Sequence, residues 1–144
     1  MSIEIKEINS ISYLKKFAKF PYEIYKNNPN WVTPILRQEI KTIIFQKKYY
    51  KNQVKFFLAL KNNKIVGRIA ANVNDAYNKK TNTKFLRISK VEFIDDTEVS
   101  FALFDKVFEY ANSLKIEYVH GPLGMSNLDT QGLLIDGFEH IQSL

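Results

Sequence analysis

Few residues of this chain combine the types and spacing that chemistry requires. His120 and His140 stand twenty residues apart with Asp129 and Asp136 between them. No HExxH, close histidine pair or cysteine accompanies them, so no metal site is expected. A Ser-His-Asp triad can be written from Ser126, His120 and Asp129, but no G-x-S-x-G elbow supports it and it is discarded. His120, at a strand end before Gly121-Pro122, reads instead as a capping or packed histidine. Arg68, Asn72 and Asn74 share one strand face by the period of two. Such a ladder can face a ligand; the preferred reading is the exposed face of a half-buried strand, with Ile69, Ala71 and Val73 inward. Lys47, Lys48, Tyr49, Tyr50, Lys51 and Lys55 interleave cations with aromatics, as a nucleic-acid surface does. The alternative, a helix end whose lysines favour the C-terminal dipole, is preferred.

The frame for these residues is small. At 144 residues a single domain, 1–144, is expected, with a core that needs no staples. The absence of cysteine excludes disulfides, thiolate metal sites and a Cys nucleophile. The first residues lack the basic start and apolar run of a signal peptide, and apolar stretches stay far below the ~20 residues that span a bilayer. A cytoplasmic protein without a membrane partner is the expectation. Gly67 is the one glycine before residue 120, and Gly121, Gly124, Gly132 and Gly137 crowd the end. A glycine-rich phosphate loop in the first 120 residues is thereby excluded. Charge is as uneven: residues 1–90 carry +14 and residues 91–144 carry −8. A polyanion-binding half and a solvated lysine-rich face both fit this split; 18 of the 21 basic residues being Lys, the second is preferred and nucleic acid is the less favoured partner.

The elements that must position these residues follow from periodicity. Ile3, Ile5 and Ile8 suggest a short strand. Asn9, Ser10 or Ser12 can cap a helix carrying Tyr13, Leu14, Phe17 and Ala18, which Pro21 is expected to end or kink. Thr33-Pro34 predicts a capped helix start ahead of the stripe Leu36, Ile40, Ile43, Ile44. Val54 to Leu60 and Ile65 to Val73 predict a hairpin about Lys61-Asn62-Asn63-Lys64. Asn74 to Thr83 reads as a loop. Phe85 to Ile94 is a strand in which Leu86 and Ile88 fall in one phase and Val91 and Phe93 in the other, the signature of a β-bulge. Asp95-x-x-Glu98 has capping-box spacing before a helix bearing Phe104, Val107, Phe108, Ala111 and Leu114. Ile116 to His120 closes the series as a strand, and residues 121–144 read as an irregular tail.

This order resembles the first two-thirds of the general N-acetyltransferase (GNAT) fold. The wording is closest to a bacterial branch of two-lobed, uncharacterised GNAT-like proteins. The residues that carry the resemblance are Phe20-Pro21-Tyr22-Glu23-Ile24-Tyr25, Asn30-Trp31-Val32-Thr33-Pro34, Phe57-Leu58-Ala59, Val66-Gly67-Arg68-Ile69-Ala70-Ala71-Asn72-Val73-Asn74, Glu92-Phe93-Ile94-Asp95-Asp96, His120-Gly121-Pro122 and Gly132-Leu133-Leu134-Ile135-Asp136-Gly137-Phe138-Glu139. The resemblance implies an α/β (α+β) fold, a mixed and mainly antiparallel sheet flanked by helices, incomplete at its C-terminus. It implies an N-terminal lobe, with residues 121–144 a tail or the start of a missing second part. A homo-oligomer or that second lobe is then the expected partner.

The resemblance also implies acetyl-CoA or another acyl-CoA as cofactor, its pyrophosphate held by a [RQ]-x-x-G-x-[GA] loop at a helix start. The matching stretch is Ile94-Asp95-Asp96-Thr97-Glu98-Val99, with no glycine and three carboxylates. Repulsion between a carboxylate and a phosphate at close range exceeds what a helix dipole returns, so the loop reads as degenerate. The family's paired glycines are also missing from Lys84 to Glu92. Glu92 stands where a GNAT general base can project; the plainer reading is a strand-end carboxylate facing solvent or paired with a lysine. The family's tyrosine acid has no counterpart after Tyr118. Three functions remain: a structural or substrate-shaping lobe of an acyltransferase, which leads; an active small acetyltransferase with Glu92 as catalytic base; and a basic module for nucleic acid or protein.

Overall fold

The computed structural model describes residues 2–141. In chain order it runs β1 (Glu4–Glu7), α1 (Ile11–Ile24), α2 (Leu36–Tyr50), a short 3-10 turn (Lys51–Gln53), β2 (Val54–Lys61), β3 (Lys64–Asn72), α3 (Asp75–Thr81), β4 (Phe85–Phe93), α4 (Thr97–Ser113) and β5 (Tyr118–His120). The five strands form one sheet in sequence order, antiparallel throughout except for the parallel pair β4–β5. The chain is therefore α/β, a mainly antiparallel sheet flanked by helices. Residues 121–141 carry no helix or strand, and the end of the predicted tail, residues 142–144, lies outside the described residues.

Strand alternation sends side chains to two cores. Leu14, Phe17 and Ala18 of α1 and Ile43 of α2 pack against Val54, Phe56, Leu58 and Ala70 on one face. Val99, Leu103, Val107 and Ala111 of α4 pack against Phe57, Ala59, Ile69 and Leu86 on the other. The central strands are thus covered on both sides. This corrects the expectation that Arg68 and Asn72 form an exposed face: they are 4% and 2% exposed, because α1 and residues 121–126 close over the face assigned to solvent.

Turn chemistry sets the hairpin. Asn62 and Asn63 take φ of 53° and 62°, the left-handed region asparagine tolerates, and join β2 to β3 as predicted. The bulge is also where phase predicted it. Arg68 pairs with Glu92 and Ala70 with Ser89, so β4 spends one more residue than β3, and Lys90 absorbs it at φ 52°.

Four local expectations change. Pro21 does not end α1, which continues to Ile24 with the Tyr25 amide donating to the Pro21 carbonyl at 2.9 Å. Thr33-Pro34 does not open α2; the Tyr22 hydroxyl donates to the Pro34 carbonyl, and the helix starts at Leu36 with Ile35 as cap. The polar stretch after Asn74 is not a loop but α3, whose first turn is capped by the Asn74 side chain accepting from the Tyr77 amide. The cap of α4 is Asp96 rather than Asp95, one residue later than the box spacing suggests.

Candidate functional site

The buried polar groups of the α1/α2 face begin with a missing hydrogen. Pro21 has no amide proton, so the Phe17 carbonyl, four residues earlier, has no donor from its own helix. Arg68 supplies one from β3: its Nη1 donates to that carbonyl at 2.7 Å, and the guanidinium lies over the Phe17 ring, 4.9 Å from its centroid. Its Nε donates to Glu92 Oε2 at 2.5 Å. Arg68 thus ties α1, β3 and the segment of β4 beyond the bulge into one unit. Charge-assisted bonds of this kind are the strong ones, and a planar guanidinium can serve several acceptors at once. Glu92 therefore pairs with arginine, where the plainer sequence reading expected solvent or lysine.

The bulge and the end of α1 converge on the same place. Lys90 reaches Glu39 of α2 at 3.5 Å. Burial first, and the Glu92 charge second, hold the Tyr25 phenol above its ordinary value. Tyr22 and Tyr25 both pack on Trp31, with ring centroids 5.3 and 5.2 Å apart. The motif residues Tyr22, Tyr25 and Trp31 form an aromatic wall.

A second polar row crosses the sheet beside it. Asn72, Arg87 and His120 sit directly opposite one another on β3, β4 and β5. Arg87 Nη1 donates to the Gly124 carbonyl at 3.1 Å, Asn74 donates to the Met125 carbonyl at 3.0 Å, and Tyr77 of α3 covers the Arg87 guanidinium at 4.6 Å. His120 stacks on Phe85, centroids 4.8 Å apart, as a packed histidine. Burial, then the Arg87 charge, lowers its pKa and keeps the imidazole neutral. Asn72 Oδ1 and His120 Nε2 are buried without partners among the described residues. Arg87 was not singled out in the sequence; its one signal there is a cation inside an otherwise apolar strand run.

The start of α4 has a different chemistry. The Asp96 carboxylate accepts from the Glu98 amide at 2.9 Å and binds Lys61 at 2.8 Å, with Glu98 4.0 Å from the same ammonium. The Lys61 hydrogen bond first, with help from the Glu98 and Val99 amides, holds the Asp96 carboxyl below its ordinary value. The positive end of the helix is thus satisfied by the protein's own carboxylate.

The remaining candidates stay apart. Asp129 accepts from the Ser126 amide in a tail turn, and His140 meets Glu139 at 3.3 Å, so neither triad nor metal cluster is assembled. Among the described residues no group of three His, Asp or Glu side chains could hold a metal ion, and no helix is long and apolar enough to cross a membrane. An open depression of about 540 Å³ lies between α3 and the starts of β4 and β5, at the opposite end of β4 from Glu92.

Solved structures decide the fold. An acetyltransferase of the GNAT family from Staphylococcus aureus superposes with a TM-score of 0.62 at 24% identity, over 82% of this chain and 72% of that one. The fold is that of the GNAT acetyltransferases. A "predicted acetyltransferase" from Clostridium acetobutylicum, solved with acetyl-CoA, shares this GNAT-like fold at a TM-score of 0.55 and 17% identity, over 82% of this chain and 79% of that one. Among curated proteins, Protein YghO of Escherichia coli is 27% identical over 88% of this chain, and a bacterial ceramide synthase of Caulobacter vibrioides is 23% identical over 95% of it. The chain spans about a third of the length of these two relatives. No protein-family profile matches the chain.

Proposed function

We propose that this chain is the acceptor-side lobe of an N-acyltransferase, shaping the site of a long-chain amine while its own α4 start leaves CoA unbound. The observation that carries the reading is the Asp96 carboxylate on the first amides of α4, where an acyl-CoA pyrophosphate would have to sit. A second support is the ceramide synthase relative, because a ceramide is the N-acyl derivative of a long-chain amino alcohol. The polar groups of this face are suited to an amine: Glu92 offers a carboxylate beside the aromatic wall, with Arg68 on Oε2 and Oε1 outside that pair. A thermal shift with a long-chain amino alcohol tests the reading. The amine should raise the melting temperature, and Glu92→Gln should remove the rise; no shift with the amine would contradict it.

A second reading has Glu92 as catalytic base in an active acetyltransferase, favoured by its place just beyond the bulge. As base it would take the proton that the amine loses on attacking the acyl carbonyl. The Arg68 pair opposes this role, since the guanidinium already takes up Glu92 Oε2 and holds the side chain in place. Acyl transfer by the 144-residue chain, lost in Glu92→Gln, would favour this reading over the first.

A further inference from the structure

Among the described residues the outward face of α2 has no partner. At 3.6 residues per turn, Arg37, Lys48 and Lys41 fall side by side on an arc opposite buried Ile43, and Phe45 and Tyr49 continue that arc. The two rings are 56% and 68% exposed and stack nearly parallel, 5.2 Å apart. Ile35, the cap residue just ahead of α2, is 76% exposed. The acidic residue of α2, Glu39, is half-buried and turned to Lys90. α1 lies beside α2 on the same face of the sheet, and its solvent side adds Lys15, Lys16 and Lys19 against one carboxylate, Glu23.

We infer that the outer face of α1 and α2 docks on an anionic lipid bilayer, with Phe45 and Tyr49 entering the headgroup boundary and the flanking cations meeting lipid phosphates. The inference extends the proposed function, in that a long-chain amine is held in a bilayer. Charge complementarity selects this occupant: a cationic arc adjoining exposed apolar side chains on a helix lying flat is the arrangement of an interfacial helix. Single-stranded nucleic acid fits less well. Phe45 and Tyr49 each have one face covered by the other, which leaves less ring surface for successive bases to stack on. A peripheral contact of this kind needs no spanning segment, so it revises the expectation of no membrane partner without requiring an apolar run of spanning length.

Flotation of the 144-residue chain with vesicles of equimolar phosphatidylglycerol and phosphatidylcholine, and with phosphatidylcholine alone, tests this. Binding to the anionic vesicles, weakened by salt, is expected. Lys41→Gln with Lys48→Gln should weaken it about thirty-fold, from about fivefold per cation near the surface. Phe45→Ser with Tyr49→Ser should weaken it about tenfold at fixed salt while leaving the melting temperature unchanged, both residues being exposed. No binding, equal binding to both vesicles, or indifference to the aromatic pair would overturn the inference. So would an oligonucleotide that binds more tightly than the vesicles through the same residues. The readout involves no acyl transfer, so failure here leaves the acyltransferase reading standing, and absence of amine binding leaves this surface untouched.

Discussion

Arg68 is the residue on which the site turns. It is buried, satisfies the carbonyl that Pro21 leaves free in α1, and fixes Glu92. Removing Glu92 strands that guanidinium, so Glu92→Ala should cost about 2–3 kcal/mol in urea denaturation. Arg68→Met should cost a similar amount, because the part-exposed Glu92 can hydrate but the Phe17 carbonyl loses its donor, and the double variant should fall short of the summed losses. Additive losses would contradict the pair. His120 carries the pH dependence. Its folded pKa lies below the ordinary 6.5, so the unfolded chain takes the proton first and stability falls as pH drops from 6.5 toward the folded value. The urea midpoint should decline as the pH falls below about 6.5, and His120→Phe, which can keep the stack on Phe85, should flatten that decline. An equal decline in the variant would remove His120 as its source. The sequence placed Arg68 and Glu92 among the candidates but could not pair them, because the register that sets them opposite depends on the bulge at Lys90.

Elements were legible where one pattern dominates. The β2–β3 hairpin and the bulged β4 follow from alternation and left-handed asparagines, whereas helical spacing located α4 but misplaced part of its stripe: Phe108 and Leu114 are exposed, and Val99 and Leu103 join Val107 and Ala111 on the buried face. What the sequence hid is tertiary in origin. Helix α1 passes through Pro21 because a residue from another strand takes the freed carbonyl, and α3 forms from a polar stretch because Asn74 caps it and Tyr77 packs on Arg87. The one early glycine shows how closely the elements approach. A Cβ on Gly67 would lie 2.9 Å from both Leu103 Cδ1 and Phe93 Cβ and 3.0 Å from Val99 Cγ1. Gly67 therefore sets the distance of α4 from β3. Gly67→Ala should destabilise the protein by about 1–3 kcal/mol, read as a lower urea midpoint, since α4 must move away. An unchanged midpoint would show that the layer has slack.

For the whole molecule, two surfaces stand out beside the GNAT-like fold. Beyond β5, the outer strand of the described sheet, Leu128, Leu133, Ile135 and Phe138 are exposed. Exposed apolar side chains gathered in one irregular segment favour association, so sedimentation should show self-association at high concentration, and a strictly monomeric mass would contradict this. The start of α4 is the other surface, and the account depends on it most. A glycine-free loop with three carboxylates could be recognised in the sequence, but which carboxylate caps the helix, and that Lys61 locks it there, could be read only from the fold. Calorimetric titration of the 144-residue chain with acetyl-CoA is the direct measurement. No saturable heat is predicted, whereas micromolar binding that contacts residues 94–99 would contradict a lobe whose helix start is already occupied.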